Sequence, residues 1–281
     1  MVAFSDELVN PPDNPPSAVW VQRFPDGTAV ATATGFGTLN SSQSAFGTPV
    51  ESYMQSAYLA MAAMQNAAAL PIRLQFGEIL WWFQANASGM AFYDADTAAA
   101  ANAALGRALH TFLAPNDDPS INGYADASFL AARLEAFANA IQSAVLASYP
   151  SASFELLWPM DVNDPDTCKL MRYVNLPSAW QARAGSGFDT FISEGYQYAG
   201  MDFDIDKAQR CAEYAFTELA WDQAHCRYLE GWFYSGWPWQ REYLAARRTG
   251  VPTAKFWAYD HLCLFGWPLP LPKEASVSLL L

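Results

Sequence analysis

The chain has 281 residues, of which 52% are hydrophobic and only 15% are charged. This composition excludes a disordered protein, because disorder accompanies low hydrophobicity and high charge. The length suits one (β/α)8 barrel or two small domains. The net charge of -13 repels phosphate backbones and anionic lipid, so we expect no nucleic acid partner.

Membrane spans and signal peptides leave recognisable patterns, and neither is found here. No stretch approaches the ~20 apolar residues that cross a bilayer, and the first residues lack the cationic start and apolar core of a signal peptide. We therefore expect a soluble protein with no membrane partner. The four cysteines match neither a zinc motif nor a disulfide framework and are interpreted as buried apolar residues. They are Cys168, Cys211, Cys226 and Cys263.

Strand-like and helix-like segments alternate along the chain. The predicted strands cover residues 2–8, 72–79, 153–158, 189–196, 226–232 and 254–260. The predicted helices cover residues 48–69, 96–112, 126–149, 204–221 and 239–249, the first with Thr48 as its N-cap. This alternation indicates βα units and a parallel sheet.

The region after the first strand departs from this alternation. Residues 18–34 contain two alternating runs around Pro25, Asp26 and Gly27, which predicts an inserted β-hairpin. A closed barrel needs eight strands and only six are recognised. Either two strands are too irregular to see, or the chain starts part-way through the parent fold, which we favour. We expect an α/β protein with a (β/α)8 TIM-barrel-like fold lacking its first two βα units. The expected single domain spans 1–281, with 80–152 as a long helical excursion.

Carboxylates and aromatic side chains follow the predicted strands, where functional residues gather in parallel βα folds. The polar residues are Glu7, Glu78, Asp161, Glu194, Glu230, Asp260 and His261. The tryptophans at or near these ends are Trp81, Trp82, Trp158, Trp232, Trp237, Trp239 and Trp257. Flat aromatic faces among carboxylates suit a sugar, and Asn40 is a further hydroxyl-binding candidate.

Glycoside hydrolysis needs one protonated and one ionised carboxyl group, and three glutamates are candidates. The apolar neighbours of Glu78 are expected to raise its pKa by desolvation, which fits the acid. Glu230 and Glu194 are the candidate nucleophiles. The plainer alternative for each is an ordinary surface or loop residue. No cofactor and no metal site are predicted, although Asp260 beside His261 leaves a ligand or proton-relay role open. The acidic turns at 116–119 and 163–166 are interpreted as turn caps rather than calcium sites.

Six motifs spread along the chain carry a family resemblance. They are LQFGEILWWF, GMAFYDADT, FELLWPMDVN, RYVNLPSAW, GWPWQREYLAA and FWAYDHLCLF. Together they resemble the glycoside-hydrolase-like TIM-barrel domain of phage tail and tail-like proteins, including non-contractile tail sheath and gene-transfer-agent proteins. The resemblance runs from about residue 2 to about residue 272.

If this resemblance extends to clan A of the glycoside hydrolases, it implies a strand register. Counting back from the last strand, Glu78 ends the fourth strand as acid/base and Glu230 ends the seventh as nucleophile. Trp257 ends the eighth as a sugar-stacking residue, and Glu194 is the reserve nucleophile. Gly77 stands where the clan usually has asparagine, which is a departure.

Two functions follow as hypotheses. The first is retaining hydrolysis of a polysaccharide or cell-wall glycan by a pair of glutamates. The second is a non-catalytic structural or carbohydrate-binding domain of a phage-tail-like assembly, with other tail subunits as partners and the virion or tail-like particle as its location.

Overall fold

The computed structural model describes residues 2–5, 7–9, 19–30, 41–84, 89–196, 198, 204–230 and 239–256. The chain divides into two compact units. The first comprises Met1–Phe154 and Val162–Trp180, and the second comprises Glu155–Asp161 and Gln181–Leu281. The assignment of residues 1–281 to one domain stays a prediction.

The strands of the first unit form a parallel pair and two short antiparallel pairs. They are β1 (Val2–Ser5), β2 (Glu7–Val9), β3 (Ser41–Gln43), β4 (Arg73–Gly77), β5 (Phe83–Gln84) and β6 (Gly89–Met90). β1 lies parallel to β4, whereas β2 pairs with β3 and β5 pairs with β6 in antiparallel fashion. Their helices are α1 (Thr48–Ala67), α2 (Ala95–Leu105), α3 (Tyr124–Ser148) and α4 (Lys169–Val174).

Local sequence explains how α1 and α2 begin and end. The N-cap of α1 is Gly47, which makes no side-chain capping bond, so the prediction of Thr48 as N-cap was wrong by one residue. Pro49 lies in the first turn, where its missing N–H costs nothing. α2 starts after Asp94, whose carboxylate accepts the N–H of Thr97, and it ends at Gly106 in the left-handed conformation.

The second unit contains a four-stranded parallel sheet and two long helices. Its strands are β7 (Ser153–Pro159), β8 (Thr190–Glu194), β9 (Cys226–Glu230) and β10 (Thr253–Phe256), and each pairs with the next. The first two residues of β7 belong to the first unit, and the strand belongs to the second unit from Glu155 onward. Its helices are α5 (Ile205–Thr217) and α6 (Trp239–Arg248). Trp158 of β7 stacks on Tyr214 of α5, and Phe256 of β10 stacks on Tyr243 of α6. These contacts identify the face of the sheet that the helices cover.

The opposite face of this sheet is concave. The Lys255 ammonium of β10 lies 3.0 Å from a carboxylate oxygen of Glu155 on β7. These strands are three steps apart, about 14 Å in a flat sheet, so the ion pair requires the sheet to curve toward this face. Strand register places Leu157, Ile192 and Arg227 side by side in one row across the sheet. Glu155 lies before this row on β7, and Lys255 lies after it on β10. Curvature with this offset is typical of the wall of a tilted parallel barrel.

The structure confirms the predicted α/β class and the parallel pairing. The predicted first strand, 2–8, is divided into β1 and β2, and the predicted strand ends at 231–232 and 257–260 lie outside the described residues. The helix predicted over 96–112 was wrong at its end, because Gly106 in the left-handed conformation ends α2 at Leu105.

A tight turn lies within the segment predicted as a hairpin, whose insertion into the fold stays a prediction. Phe24 and Thr28 are joined by a backbone hydrogen bond of 3.0 Å, and Val30 donates to Gln22 at 3.0 Å. Residues 18 and 31–34 of that hairpin lie outside the described residues. Closure of an eight-stranded barrel stays a prediction. Within the described ranges, no helix is both long and apolar enough to span a bilayer.

Candidate functional site

The predicted site residues are distributed over both units. Glu78, Trp81 and Trp82 belong to the first unit, whereas Trp158, Asp161, Glu194 and Glu230 belong to the second. Glu7 lies in β2, and its side chain is outside the described part of the structure. Six further predicted residues lie entirely outside the described residues, namely Asn40, Trp232, Trp237, Trp257, Asp260 and His261, and the side chain of Trp239 is also outside the described part.

Glu78 has an unusual backbone conformation directly after β4. Its φ angle is 52°, in the left-handed region that side chains other than glycine rarely adopt. The side chain is half-buried. Such a conformation costs free energy and persists only where the surrounding structure enforces it. Strain of this kind is found at functional sites, but Ala69 of the same unit has a similar φ of 55°, so the angle by itself does not assign a role to Glu78.

Two buried amides enforce the path of the chain after Glu78. The amide oxygen of Gln22 accepts the N–H of Trp82 at 2.8 Å, and its nitrogen donates to the carbonyl of Leu80 at 2.9 Å. Asn175 makes the same two-sided contact with the main chain of Trp81, at 2.7 Å and 3.0 Å. Gln22 and Asn175 are fully buried. The segment after β4 is therefore rigidly positioned, although it has no regular secondary structure before β5.

The tryptophans near this segment are core residues. Trp81 is completely buried, packs edge-on against Phe46 and Phe92, and donates its indole N–H to the carbonyl of Leu130. Trp82 is 7% exposed. A ring that stacks on a sugar must expose one face, so this burial disfavours the predicted stacking role, which stays a prediction. Trp158 of the second unit is equally buried.

Glu194 and Glu230 end neighbouring strands but point to opposite faces of the sheet. In the parallel register Glu194 lies beside Leu229, and Leu229 lies beside Lys255. Residues side by side on paired strands share a face, and successive residues alternate. Glu194 therefore shares the concave face with Lys255, whereas Glu230 shares the helix-covered face with Tyr228.

Glu230 is sealed between β9 and α6. It is 1% exposed, and neither of its carboxylate oxygens has a hydrogen-bond partner among the described residues. Glu242 of α6 is also 1% exposed and accepts a hydrogen bond of 2.5 Å from the hydroxyl of Tyr228. Burial, and secondarily repulsion from Glu242, raise the pKa of Glu230 well above its ordinary value. Burial and the same glutamate raise the pKa of the Tyr228 hydroxyl. Burial therefore favours the neutral, protonated form of Glu230.

The cysteines of this region are structural. Cys211 of α5 packs against Gly195, where an added Cβ would lie 3.2 Å from the sulfur. Burial raises the pKa of the Cys211 thiol well above its usual range, and the carboxylate of Asp161 adds to the effect. A thiol of this kind is unreactive. Cys168, Cys211 and Cys226 are buried, as predicted, and are not joined in disulfides. Cys263 lies outside the described residues.

The acidic turns act as caps, as predicted. Asp117 accepts the N–H of Leu113, and Asp164 accepts the N–H groups of Asp166 and Thr167. In the parts of the chain that the structure describes, no group of three or more His, Cys, Asp or Glu side chains could hold a metal ion.

Sequence reasoning missed three residues that shape these environments: Gln22, Asn175 and Glu242. The burial of Glu242 had a local signal, since it lies on the same side of an amphipathic helix as Ala245 and Ala246. Gln22 and Asn175 had none, because their partners are 60 and 94 residues away.

Residues 1–267 match a family model described as the TIM barrel of the non-contractile tail sheath protein. No curated protein matches the chain.

Proposed function

Because this chain belongs to the non-contractile tail sheath TIM-barrel family, we propose that it is a structural subunit of a non-contractile tail or tail-like particle and performs no catalysis. Its partners are other subunits of the tail, and its location is the particle itself.

The burial of Glu230, the predicted nucleophile, is the observation that carries this proposal. The two carboxyl groups of a glycosidase flank a single bond of the substrate, about 5 Å apart in a retaining enzyme. Glu230 faces α6 and is sealed from solvent, so a polysaccharide has no path to it. A buried acid without access to substrate is a structural residue.

The burial of the tryptophans supports the same proposal. Trp81 and Trp158 are used in the cores of their units, where they contact Phe92 and Tyr214. Among the described residues, these side chains leave no aromatic face for a sugar. Burial of these large aromatic rings instead stabilises the cores of the two units.

Glycoside hydrolysis remains the second candidate, and one observation favours it. The left-handed conformation of Glu78 at the end of β4 is the kind of strain that active sites maintain. In that alternative Glu78 is the general acid, as the resemblance to clan A of the glycoside hydrolases implies.

Two measurements test the proposed role. Particles purified from cells that express a tagged chain should contain it at a fixed ratio to the other tail proteins. Particles that lack the tagged chain would contradict the structural role. The chain should also release no product from aryl glycosides or cell-wall glycans. Hydrolysis by the wild type that Glu78→Gln abolishes, and that Glu135→Gln on α3 preserves, would establish the second candidate instead.

A further inference from the structure

The turn before α3 contains the only Asn-Gly pair of the sequence, Asn122–Gly123. Asn122 is exposed, and its side-chain amide makes no hydrogen bond to any described residue. Gly123, the N-cap of α3, has a φ of 78° and no Cβ that would hinder an approach to its nitrogen. Within the described ranges the N–H of Gly123 also donates no hydrogen bond. The amide carbon of Asn122 and the nitrogen that follows it are therefore both available for reaction with each other.

A second pair, Asp26–Gly27, has a comparable sequence but both of its reacting groups are occupied. The N–H of Gly27 donates to the carbonyl of Phe24 at 2.9 Å. The carboxylate of Asp26 accepts the N–H of Thr28 at 2.9 Å and its hydroxyl at 2.7 Å. The turn around Gly27 thus protects the same kind of pair that the turn before α3 leaves open.

Other asparagines of the first unit are protected as well. The N–H of Asp117, which follows Asn116, donates to the carbonyl of Ala114 at 3.1 Å. The side-chain oxygen of Asn116 accepts the N–H of Lys169 at 3.5 Å. Asparagines inside α1, α2 and α3 precede N–H groups that are bonded within the helix, namely those after Asn66, Asn102 and Asn139.

We propose that Asn122 is a site of spontaneous deamidation. The nitrogen of Gly123 gives its proton to hydroxide and attacks Cγ of Asn122, an intramolecular step that needs only a favourable geometry. A bond from this nitrogen to Cγ forms, the bond from Cγ to Nδ2 breaks, and Nδ2 takes a proton from water and leaves as ammonia. The product is a cyclic imide.

Water then opens the imide in one of two ways. Cleavage between the nitrogen and Cγ gives aspartate in an unchanged main chain. Cleavage between the nitrogen and the former main-chain carbonyl carbon gives isoaspartate, in which the main chain runs through the side chain of residue 122. Each complete reaction consumes one water molecule and releases one molecule of ammonia, and no oxidant or reductant takes part.

The surroundings of Gly123 make the two products unequal. A Cβ added to Gly123 would lie 2.8 Å from ring atoms of Phe112 and 2.9 Å from His110, so the main chain has no room to move toward these rings. Isoaspartate lengthens the main chain by one methylene group, and it must therefore displace the rings or the start of α3. Aspartate adds only a negative charge beside the N-terminus of α3, where such a charge is favourable. Isoaspartate should destabilise the first unit, whereas aspartate should not.

The test compares deamidation of the full chain when folded and when unfolded in urea, at the same mildly alkaline pH. Replacement of NH2 by OH raises the mass, tandem mass spectrometry locates the changed residue, and chromatography separates the aspartate and isoaspartate peptides. We expect the rate at Asn122 to agree within about threefold between the two states. Folding should slow the reaction at Asn116 about tenfold or more, because the attacking N–H must first leave its hydrogen bond. Isoaspartate should form at Asp26 only in urea.

Variants separate this site from the rest of the chain. Asn122→Gln should abolish the mass change at this position, since its longer side chain forms a less favourable ring, and Asn102→Gln on α2 is the matched control that should keep it. Aged wild type that has accumulated isoaspartate should unfold at a lower urea concentration than fresh protein. Asn122→Asp should unfold at the same concentration as fresh wild type or a higher one, and aged Asn122→Gln should match its own fresh sample.

Two results would overturn the inference. One is a folded chain in which Asn122 stays intact while the unfolded chain is deamidated there, and the other is an Asn122→Gln variant that gains mass as fast as the wild type. An aged chain that contains isoaspartate and keeps its stability would refute the predicted effect on the first unit. The inference is independent of the proposed function, because the reaction needs no substrate and no other subunit.

Discussion

The side chain of Asn175 acts as a peptide group for the main chain of Trp81. Its oxygen accepts the N–H of Trp81 at 2.7 Å and its nitrogen donates to the carbonyl of the same residue at 3.0 Å. The nitrogen also donates to the side-chain oxygen of Asn163 at 2.8 Å. A single amide thus satisfies buried polar groups of a segment that has no strand partner.

Asn175→Ala should therefore destabilise the protein. The substitution leaves a buried N–H and a buried carbonyl of Trp81 without their partner, which costs about 2–4 kcal/mol of the free energy of unfolding. Asn102→Ala on the exposed side of α2 is the matched control and should change it by about 0.5 kcal/mol or less. Urea unfolding measures both. An effect of Asn175→Ala no larger than that of the control would show that water replaces the amide.

The buried acid Glu230 predicts a stability that falls as pH rises. Its pKa is raised in the folded protein, so the folded state binds more protons than the unfolded state. The loss begins above the ordinary value of 4.5 and continues until the pH passes the raised pKa. Glutamine cannot ionise, so Glu230→Gln should stabilise the protein at neutral and alkaline pH. The free energy of unfolding of this variant should then change less with pH above about 4.5 than that of the wild type. The comparison is the midpoint of urea unfolding between about pH 4 and pH 9, with Glu213→Gln on α5 as control. A wild-type profile that stays level while Glu230→Gln has no effect would contradict a neutral Glu230.

The lowered pKa of Asp126 predicts the opposite trend, a free energy of unfolding that falls as the pH falls. It is fully buried, accepts two hydrogen bonds from the guanidinium of Arg107 and one from the N–H of His110, and its pKa is lowered chiefly by Arg107. This stabilisation is present above the ordinary value of 3.8 and is lost as the pH falls through the lowered pKa. Asp126→Asn should cost about 2 kcal/mol at neutral pH, because charged hydrogen bonds become neutral ones.

Asp206→Asn, at an exposed position in the first turn of α5, is the control for Asp126→Asn and should cost under about 0.5 kcal/mol. The cost of Asp126→Asn should also shrink in acid, where the wild type loses its own charge. A cost that stays constant down to about pH 2 would rule out the ionised pair as its source.

The ion pair between Glu155 and Lys255 tests the curvature of the sheet. A double-mutant cycle with Glu155→Gln and Lys255→Met should give a coupling free energy of about 0.5–1 kcal/mol, since both side chains are partly exposed. High salt should reduce the coupling. A cycle of Glu155→Gln with Lys207→Met, on α5, is the control and should show none. Zero coupling between Glu155 and Lys255 would indicate that these strands are too far apart for a concave face.

Local periodicity in the sequence was sufficient to determine most secondary structure. The strand at Cys226–Glu230 and the turn at Pro25 to Gly27 depend on neighbours along the chain, and both lie within segments predicted from local sequence. The strand order also followed, because consecutive parallel βα units pair with their neighbours. The error at the start of α1 was of a single residue, since Gly47 and Thr48 are both acceptable at a cap. The error at the end of α2 was larger, because Gly106 ends at Leu105 a helix that was predicted to reach residue 112.

Only the tertiary structure decided what the residues at the strand ends do. Glu194 and Glu230 look alike in sequence, each following an apolar strand, and their opposite faces depend on which residue of β9 lies beside Glu194. The burial of Glu230 depends on α6, and the path of the chain after Glu78 depends on Gln22 and Asn175, which are distant in sequence. Periodicity places a side chain on one side of its own element, but the free energy of a charge or a ring depends on what packs against that side. That environment is set by contacts between distant segments, so it appears only when the chain is folded.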